Sequence, residues 1–403
     1  MMVGSTRFLL RNHLGLIAAV AISLLFWQSL AQAADPVEVR IGLVAREPNP
    51  PVLYEVDPVP EDEGLAGGRQ AIQDNNTTGR FTGHRYSLKE VLVPADGDPA
   101  EAARALVAEG IGFIVAKLPA DDLLKVADAL KGSDAVLFNA TAPDDRLRGA
   151  ECRQNVFHLA PSRAMLTDAL AQFLAFKRWR KIFLIVGPNP ADRLYADAMK
   201  KSARKFGLQL AAEQAWTFGP LARAKADSPT TAEALVFTRG VDYDVAIVAD
   251  EAADWGDYVP YRTWDPRIVA GTQGLISTTW HPTLEVWGAT QAQTRFQRLA
   301  QRLMRPVDYQ VWMAVRSVGE AVTKSKKTDP GEVGVFLRGP DFALPGYKGV
   351  PLTFRTWDQQ LRQPILIVQP KALVSVAPEQ GFLHQRTPLD TLGTDAPESE
   401  CKL

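Results

Sequence analysis

The fold is decided by LAGGRQAIQDNNTTGRFTGHRYSLKEVLVPADGDPAEAARALVAEGIGFIVA, residues 65–116. Leu65–Asn76 has apolar and small residues at helical spacing, and His84–Pro94 follows it as a strand. Asp98 can cap the next helix, which runs up to a buried strand at Ile111–Ala116. Helices and short apolar strands in alternation indicate βαβ units and a mostly parallel sheet.

The same alternation occurs in two blocks. The first starts with the strand Val37–Ala45, and the second starts after residue 157 with the helix Met165–Arg178 and the strand Lys181–Gly187. We therefore predict an α/β protein with two doubly wound parallel-sheet lobes. Near the end, Tyr347–Trp357 and Pro364–Gln369 are separated by DQQLRQ, which suggests a final hairpin.

Composition sets broad limits on the function. The chain has 403 residues, of which 46% are hydrophobic, and this is enough for more than one core. Its formal net charge is −1, whereas a nucleic-acid partner would favour a strongly basic face. No nucleic-acid partner is therefore predicted.

The N-terminus has the features of a secretory signal peptide. Arg7 and Arg11 precede an apolar run, Leu14–Leu30, and Ala31-Gln32-Ala33 then supplies the small-x-small pattern for cleavage. The run is short for an uncleaved membrane anchor, and no Cys stands at the cleavage site to carry a lipid. We expect residues 1–33 to be removed and the mature protein to reside in the periplasm without a membrane anchor.

Two cysteines remain in the mature chain, Cys152 and Cys401. In an oxidising compartment they can pair and tie the C-terminal residues to the body of the protein. They can equally stay apart, because the sequence does not indicate their distance. Together with five scattered His they do not form a zinc pattern.

The order of these elements resembles a known family. The stretch 65–116, followed by NATAPDDRLR and NVFHLAPS, resembles the leucine/isoleucine/valine-binding type of periplasmic receptor for ABC transporters. This resemblance covers roughly residues 37–370. It implies a three-strand hinge, with lobe one at 36–156 plus 281–340, lobe two at 157–280 plus 341–378, and a tail at 388–403. It also implies a small-molecule ligand, a membrane permease as partner, and a monomer.

A narrower resemblance concerns two later stretches. DEAADWGDYVPYRTWDPRIVAGTQGL and FRTWDQQLRQPILI look like the subgroup encoded beside PQQ-dependent alcohol dehydrogenase systems. That neighbourhood implies a carboxylate, the quinone cofactor or a metal ion as the solute. A ligand sensor without transport, and a calcium or lanthanide delivery protein, are the alternatives. No nucleophile, zinc-protease or phosphate-loop motif is present, so neither an enzyme nor a bound cofactor is predicted.

Ligands of open α/β sheets bind beyond the carboxyl ends of the strands. In lobe one this rule selects Arg46, Lys117, Asn139 and Thr141. The resemblance gives Thr141 a contact with a ligand carboxylate, although a loop Thr that caps a helix is an equal alternative. Lys117 can hold an anionic ligand or stay solvated.

In lobe two the same rule selects Asp250, Glu251 and Gln273, with Trp255 as a possible stacking partner for the ligand. Amino-acid receptors of the family have an acid where Gln273 stands, and that acid neutralises the ligand's ammonium. The neutral amide therefore argues against branched-chain amino acids, and Asp250 and Glu251 are expected to supply the negative charge. The acidic runs Glu55–Gly64 and Asp250–Asp257 offer oxygen donors for Ca²⁺, without the spacing of an EF-hand.

Overall fold

The computed structural model describes residues 35–48, 58–218 and 233–403. The predicted signal peptide lies outside these ranges and stays a prediction. Over the described ranges, no helix combines the length and apolar character needed to cross a bilayer.

Strands and helices alternate through most of the chain, as the sequence predicts. The strands are β1 (Val37–Arg46), β2 (His84–Val93), β3 (Phe113–Lys117), β4 (Val136–Asn139), β5 (Val156–His158), β6 (Lys181–Val186), β7 (Gln209–Ala215), β8 (Val245–Ala249), β9 (Ile268–Gly271), β10 (Leu275–Thr278), β11 (Leu344–Pro345), β12 (Pro351–Phe354), β13 (Leu361–Arg362), β14 (Ile365–Gln369) and β15 (Ala372–Ala377). The helices are α1 (Leu65–Thr82), α2 (Pro99–Ala108), α3 (Ala120–Ala129), α4 (Arg163–Phe176), α5 (Pro190–Lys205), α6 (Glu233–Phe237), α7 (Ala289–Ala300), α8 (Pro306–Ser325) and α9 (Pro330–Arg338).

The first lobe is built on a five-stranded parallel sheet with the order β2-β1-β3-β4-β5. Successive side chains of β1 face opposite sides of this sheet. Ile41 and Leu43 pack with α1 and α8 on one face, whereas Val44 packs with α2 and α3 on the other. A strand that is buried on both faces reads as a continuous apolar run, which is why β1 could be recognised from the sequence.

Two distant segments meet closely within this lobe. A Cβ atom on Gly67 of α1 would lie 1.9 Å from the carbonyl oxygen of Asp308 at the start of α8. The Asp308 side chain also accepts a 2.7 Å hydrogen bond from the N–H of Gly64, which has φ of +83° just before α1. The first lobe therefore depends on chain that lies some 240 residues further on.

The second lobe is built on a seven-stranded sheet with the order β15-β14-β10-β9-β8-β6-β7. The strands β6 to β10 are parallel, and β14 and β15 add antiparallel edges. Leu184 packs against α4 and α5 on one face, whereas Phe183 packs with Tyr243 and Trp255 on the other. The prediction of two doubly wound α/β lobes is confirmed.

The last strands differ from the predicted hairpin. β12 pairs with β13, which lies inside the DQQLRQ segment, and β14 pairs with β10 and β15. The predicted hairpin between Tyr347–Trp357 and Pro364–Gln369 is therefore wrong. In addition, Phe342 and Phe354 pack in the same core as β1, although 341–378 was expected in lobe two. The chain enters the second sheet only at β14.

The C-terminal segment (Pro388–Cys401), expected as a tail, is packed onto the body. Asp390 is 1% exposed and forms ion pairs with Arg355 at 3.0 Å and Arg362 at 2.8 Å. Cys401 forms a disulfide with Cys152. Pairing of the two cysteines, which the sequence left open, is thus the arrangement that the structure has.

Three crossings connect the lobes, and buried side chains hold them together. The first crossing follows β5, the second follows β10, and the third joins β13 to β14. Gln363 donates to the carbonyl of Leu159 at 2.8 Å, which connects the third crossing to the first. Lys348 is buried, and its Nζ donates to the carbonyl of Thr279 at the second crossing.

Arg148 forms four hydrogen bonds in this region. Its guanidinium donates to the carbonyls of Ala142 at 2.8 Å, Asp144 at 3.1 Å and Ala160 at 2.7 Å, and to Gln360 Oε1 at 2.8 Å. Only 3% of Arg148 is exposed. Hydrogen bonds of this number compensate for the cost of burying a charge.

Replacement of Arg148 by Met should destabilise the whole protein. The variant R148M keeps most of the side-chain volume but leaves buried carbonyls without a donor, so we expect the free energy of unfolding to fall by about 3 kcal/mol. Chemical denaturation followed by circular dichroism would measure this loss. R146M is the matched control, because Arg146 pairs with Asp121 and Glu151 at the surface and should cost less than about 1 kcal/mol. Equal losses in the two variants would contradict this role of Arg148.

Candidate ligand-binding cleft

The residues selected from the sequence do lie at the carboxyl ends of the parallel strands. Arg46, Lys117 and Asn139 are the last residues of β1, β3 and β4 in the first sheet. In the second sheet Asp250 and Glu251 follow β8 directly, and Gln273 follows β9 by two residues. This edge of each sheet is where open α/β proteins bind ligands.

Arg163 connects the loops that follow the two sheets. Its Nε and Nη2 atoms donate to the two carboxylate oxygens of Glu251 at 2.7 Å each. Its Nη1 atom lies 3.2 Å from Oδ2 of Asp144, in the loop after β4 of the first sheet. The Arg163 side chain is only 7% exposed. A bidentate ion pair of this kind fixes the relative orientation of the two side chains as well as pairing their charges.

Asp192 supports Glu251 from the second sheet. Its Oδ1 accepts the N–H of Glu251 at 2.8 Å, and its Oδ2 accepts the N–H of Asn189 at 3.0 Å. Burial raises the pKa of Glu251, while the adjacent Arg163 guanidinium acts in the opposite direction. The Glu251 carboxylate is therefore already paired with a cation of the protein, which Asp144 shares.

Sequence reasoning missed Arg163 and Asp144. A signal was present, because Arg163 is the first residue of α4, directly after the Ser162 cap. A cation at a helix N-terminus opposes the helix dipole and so indicates a specific partner. The identity of that partner was not predictable, since Glu251 lies 88 residues away.

Asp250 shapes its own loop. Its carboxylate accepts the backbone N–H groups of Asp254 at 3.0 Å, Trp255 at 3.1 Å and Gly256 at 2.7 Å. Only 1% of the residue is exposed. Burial raises the pKa of Asp250, and the three N–H donors lower it in part. Instead of offering a free charge, the carboxylate holds the turn that leads into Trp255.

Trp255 belongs to the core of the second lobe. It is 2% exposed and stacks on Trp216, with ring centroids 4.5 Å apart and an angle of 15° between the planes. Such a stack contributes to packing beyond its buried area. In this structure Trp255 packs against protein, and its indole face toward Trp216 is covered.

Thr141 and Asn139 form the loop after β4. The Thr141 hydroxyl donates to the carbonyl of Leu118 at 3.1 Å, and Asn139 Oδ1 accepts the N–H of Thr141 at 3.2 Å and of Ala142 at 2.9 Å. Asn139 is fully buried, and its Nδ2 lies 3.0 Å from Nδ1 of His158. Asn139 therefore positions the loop, whereas the half-buried Thr141 hydroxyl retains lone pairs for a further donor.

Arg46 is paired within the first lobe. Its Nη2 atom lies 2.7 Å from Asp122, and its Nη1 atom donates to the carbonyls of Pro94 at 2.6 Å and Gly97 at 2.8 Å. Pro94 and Gly97 lie in the loop after β2, and Asp122 lies in the first turn of α3 at the same edge of the sheet. Arg46 thus stabilises the rim of the cleft.

Lys117 and Gln273 are half-buried and differ from the other candidates. Neither side chain forms a hydrogen bond or ion pair with the rest of the described chain. The Lys117 stem passes beside Gly64, just before α1. Burial raises the pKa of the neighbouring Glu63, and the positive charge of Lys117 lowers it in part. The Gln273 stem lies against Gly256 in the Asp250 loop. Both polar ends are available to a ligand.

In residues 35–48, 58–218 and 233–403, no three His, Cys, Asp or Glu side chains come together as a metal site. Residues 55–57 of the acidic run Glu55–Gly64 lie outside the described ranges.

The fold and the cleft define a class of protein, the two-lobed binding proteins of the bacterial periplasm. The chain belongs to the periplasmic binding protein family, whose profile matches residues 64–373. No curated protein sequence is detectably similar to the chain.

Solved structures share the fold at low sequence identity. A branched-chain amino acid ABC transporter periplasmic ligand-binding protein from Burkholderia xenovorans is 14% identical, with a TM-score of 0.70 over 90% of this chain and 99% of the other. The leucine-, isoleucine-, valine-, threonine- and alanine-binding protein from Brucella ovis, in its closed conformation, is 15% identical, with a TM-score of 0.68 over 92% and 99%.

A third similar structure contains a ligand. It is the branched-chain amino acid transporter substrate-binding protein from Streptococcus pneumoniae in complex with isoleucine. That protein is 12% identical, with a TM-score of 0.62 over 84% of this chain and 98% of the other. At such identities the likeness establishes the fold and leaves the ligand open.

Replacement of Asp250 by Ala should cost stability. D250A leaves three backbone N–H groups without an acceptor, two of them buried, so we expect the free energy of unfolding to fall by about 3 kcal/mol. Thermal and chemical unfolding would measure the change. D254A is the control, because Asp254 is exposed and the variant retains the backbone N–H that donates to Asp250. D254A should change stability by less than about 0.5 kcal/mol. An unchanged stability of D250A, together with lost ligand binding, would make Asp250 a direct ligand group.

Proposed function

We propose that this protein is the periplasmic solute receptor of an ABC transporter. It captures a small solute between its lobes, closes at the three crossings and presents the closed form to a membrane permease, without chemical change of the solute. The observation that carries the proposal is Arg163, which is held at 2.7 Å by Glu251 and at 3.2 Å by Asp144. This contact keeps loops of both sheets next to one another, as ligand capture by hinge closure requires.

The charges of the cleft argue against an α-amino acid. A ligand ammonium needs a carboxylate when it is buried, because an unpaired buried charge is costly. Gln273 is neutral, Asp250 is occupied by its own loop, and Glu251 is already paired with Arg163. We infer that the solute has no ammonium group, unlike the amino acids in the names of the similar structures.

The available groups favour a small carboxylate. Lys117 supplies a cation, Thr141 supplies a hydroxyl and Gln273 supplies an amide, and all three are half-buried at strand ends. A carboxylate accepts hydrogen bonds directly from the Lys117 ammonium and the Gln273 amide, and from Thr141 once its hydroxyl turns away from the carbonyl of Leu118. Carboxylates are products of alcohol oxidation, so this solute class agrees with the subgroup encoded beside PQQ-dependent alcohol dehydrogenases.

Matched pairs of ligands test the solute class. Thermal-shift and calorimetric titrations should compare L-leucine with 4-methyl-2-oxopentanoate, and L-alanine with lactate, since each pair differs chiefly at the amino group. We expect stabilisation by the oxo or hydroxy acid alone, about 2.7 kcal/mol at a concentration 100-fold above Kd. The same titrations should include the quinone cofactor and, after chelator treatment of the protein, Ca²⁺. Binding of leucine, or of Ca²⁺ alone, would overturn the carboxylate proposal.

Two substitutions test the proposed residues. Q273E introduces the missing negative charge and should shift the preference toward the amino acid of each pair. K117M removes the cation and should weaken carboxylate binding at least about tenfold, which corresponds to about 1.4 kcal/mol. K125M is the matched control, because Lys125 is exposed on α3 and pairs with Asp122. Carboxylate affinity that survives in K117M would exclude Lys117 from the site.

A further inference from the structure

The C-terminal segment (Pro388–Cys401) is attached to both lobes. It lies beyond residue 373, where the match to the family ends. Its contacts are internal to the protein and make no use of the residues proposed for the solute. The question is what such a connection does in a protein with two lobes and a hinge.

The beginning of the segment is bound to the second lobe. Lys205 of α5 donates to the carbonyls of Thr391 and Gly393, both at 2.9 Å. Asp168 of α4 accepts the N–H of Gly393 at 2.8 Å. Leu392 is fully buried in the core of this lobe. Together these contacts make Leu392 and Gly393 part of the second lobe.

The end of the segment is bound to the first lobe by a covalent bond. Cys401 is joined to Cys152, which lies between a 3-10 helix at Asp145–Arg148 and β5. The neighbouring Arg153 pairs with Asp128 of α3 at 2.6 Å, which keeps this loop on the first lobe. The disulfide thus connects the segment to the first lobe independently of any interface between the lobes.

The beginning of the segment also contacts the loop beside the hinge. Arg355, which is 1% exposed in the loop between β12 and β13, donates to the carbonyl of Leu392 at 2.6 Å and to Asp390 at 3.0 Å. The same loop leads into Gln360, whose amide donates to the carbonyl of Ala160 at the first crossing at 3.1 Å. The segment therefore runs beside the crossings about which the lobes rotate.

We infer that the C-terminal segment is a covalent limit on the opening of the two lobes. Residues 394–400 separate the anchor at Gly393 from the anchor at Cys401, and fully extended they reach at most about 28 Å. In the structure this stretch is shorter than its full extension, because Ala396–Glu398 forms a 3-10 turn that rises only about 2 Å per residue. Once this turn is extended, the Cys152 loop can move no further from the second lobe. The inference rests on the two-lobe fold and not on the identity of the solute.

The limit can be removed in two independent ways. The double substitution C152S/C401S breaks the connection, and insertion of Gly-Ser-Gly-Ser-Gly between Ser399 and Glu400 lengthens it with the disulfide intact. Mass spectrometry after alkylation would verify the disulfide. Small-angle scattering of the ligand-free protein should give a larger radius of gyration and a broader distance distribution for both variants than for the oxidised wild type. Hydrogen exchange at residues 159–162 and 361–364 should become several-fold faster.

The insertion variant decides between a limit and a purely stabilising disulfide. It retains the covalent bond and every anchor, so a disulfide that only stabilises the fold predicts wild-type scattering and exchange. That result, with native circular dichroism, would overturn the inference. If C152S/C401S does not fold, the insertion variant and the mildly reduced wild-type protein still provide the comparison.

Discussion

One buried guanidinium, that of Arg148, joins the segments from which the first and third crossings start. Arg148 donates to carbonyls of the loop after β4 and of the first crossing, and to Gln360 beside the third crossing. Burial lowers the pKa of Arg148 to about 10, so the side chain remains a cation at neutral pH and needs all these acceptors. A cation that can be solvated only when three separate segments meet is a strong constraint on where they meet. Arg148 thereby fixes where the first and third crossings leave the first lobe.

Charged side chains near the proposed cleft are likewise paired within the protein. Glu251 and Asp144 share the Arg163 guanidinium, and Asp250 is occupied by backbone N–H groups. Charged residues at strand ends therefore serve mainly to hold loops in place, and recognition is left to the few polar groups that keep free capacity. Such a site selects its ligand through the polar groups that it leaves unpaired. A ligand whose charge none of these groups can pair binds weakly.

The sequence predicted the fold well because buried parallel strands contain continuous apolar runs, as in Ile41–Ala45 of β1 and through most of β3, β6 and β8. It also located the strand ends, and hence Lys117, Glu251 and Gln273. It could not predict the direction of the Asp250 carboxylate, or the pairing of Glu251 with Arg163, since periodicity carries no information on partners 88 residues apart. The hairpin failed for a related reason: the short β13 pairs through its backbone, which side-chain pattern does not reveal.

The contact between Gly67 and Asp308 has a consequence for biosynthesis. The core of the first lobe needs α1 and α8 together, and the whole second sheet up to β10 lies between them in the chain. An N-terminal fragment therefore has no complete core to fold into, and such distant contacts slow folding in general. If residues 1–33 direct the chain through a translocase before it folds, this delay keeps the part synthesised first unfolded until the part that completes it has arrived.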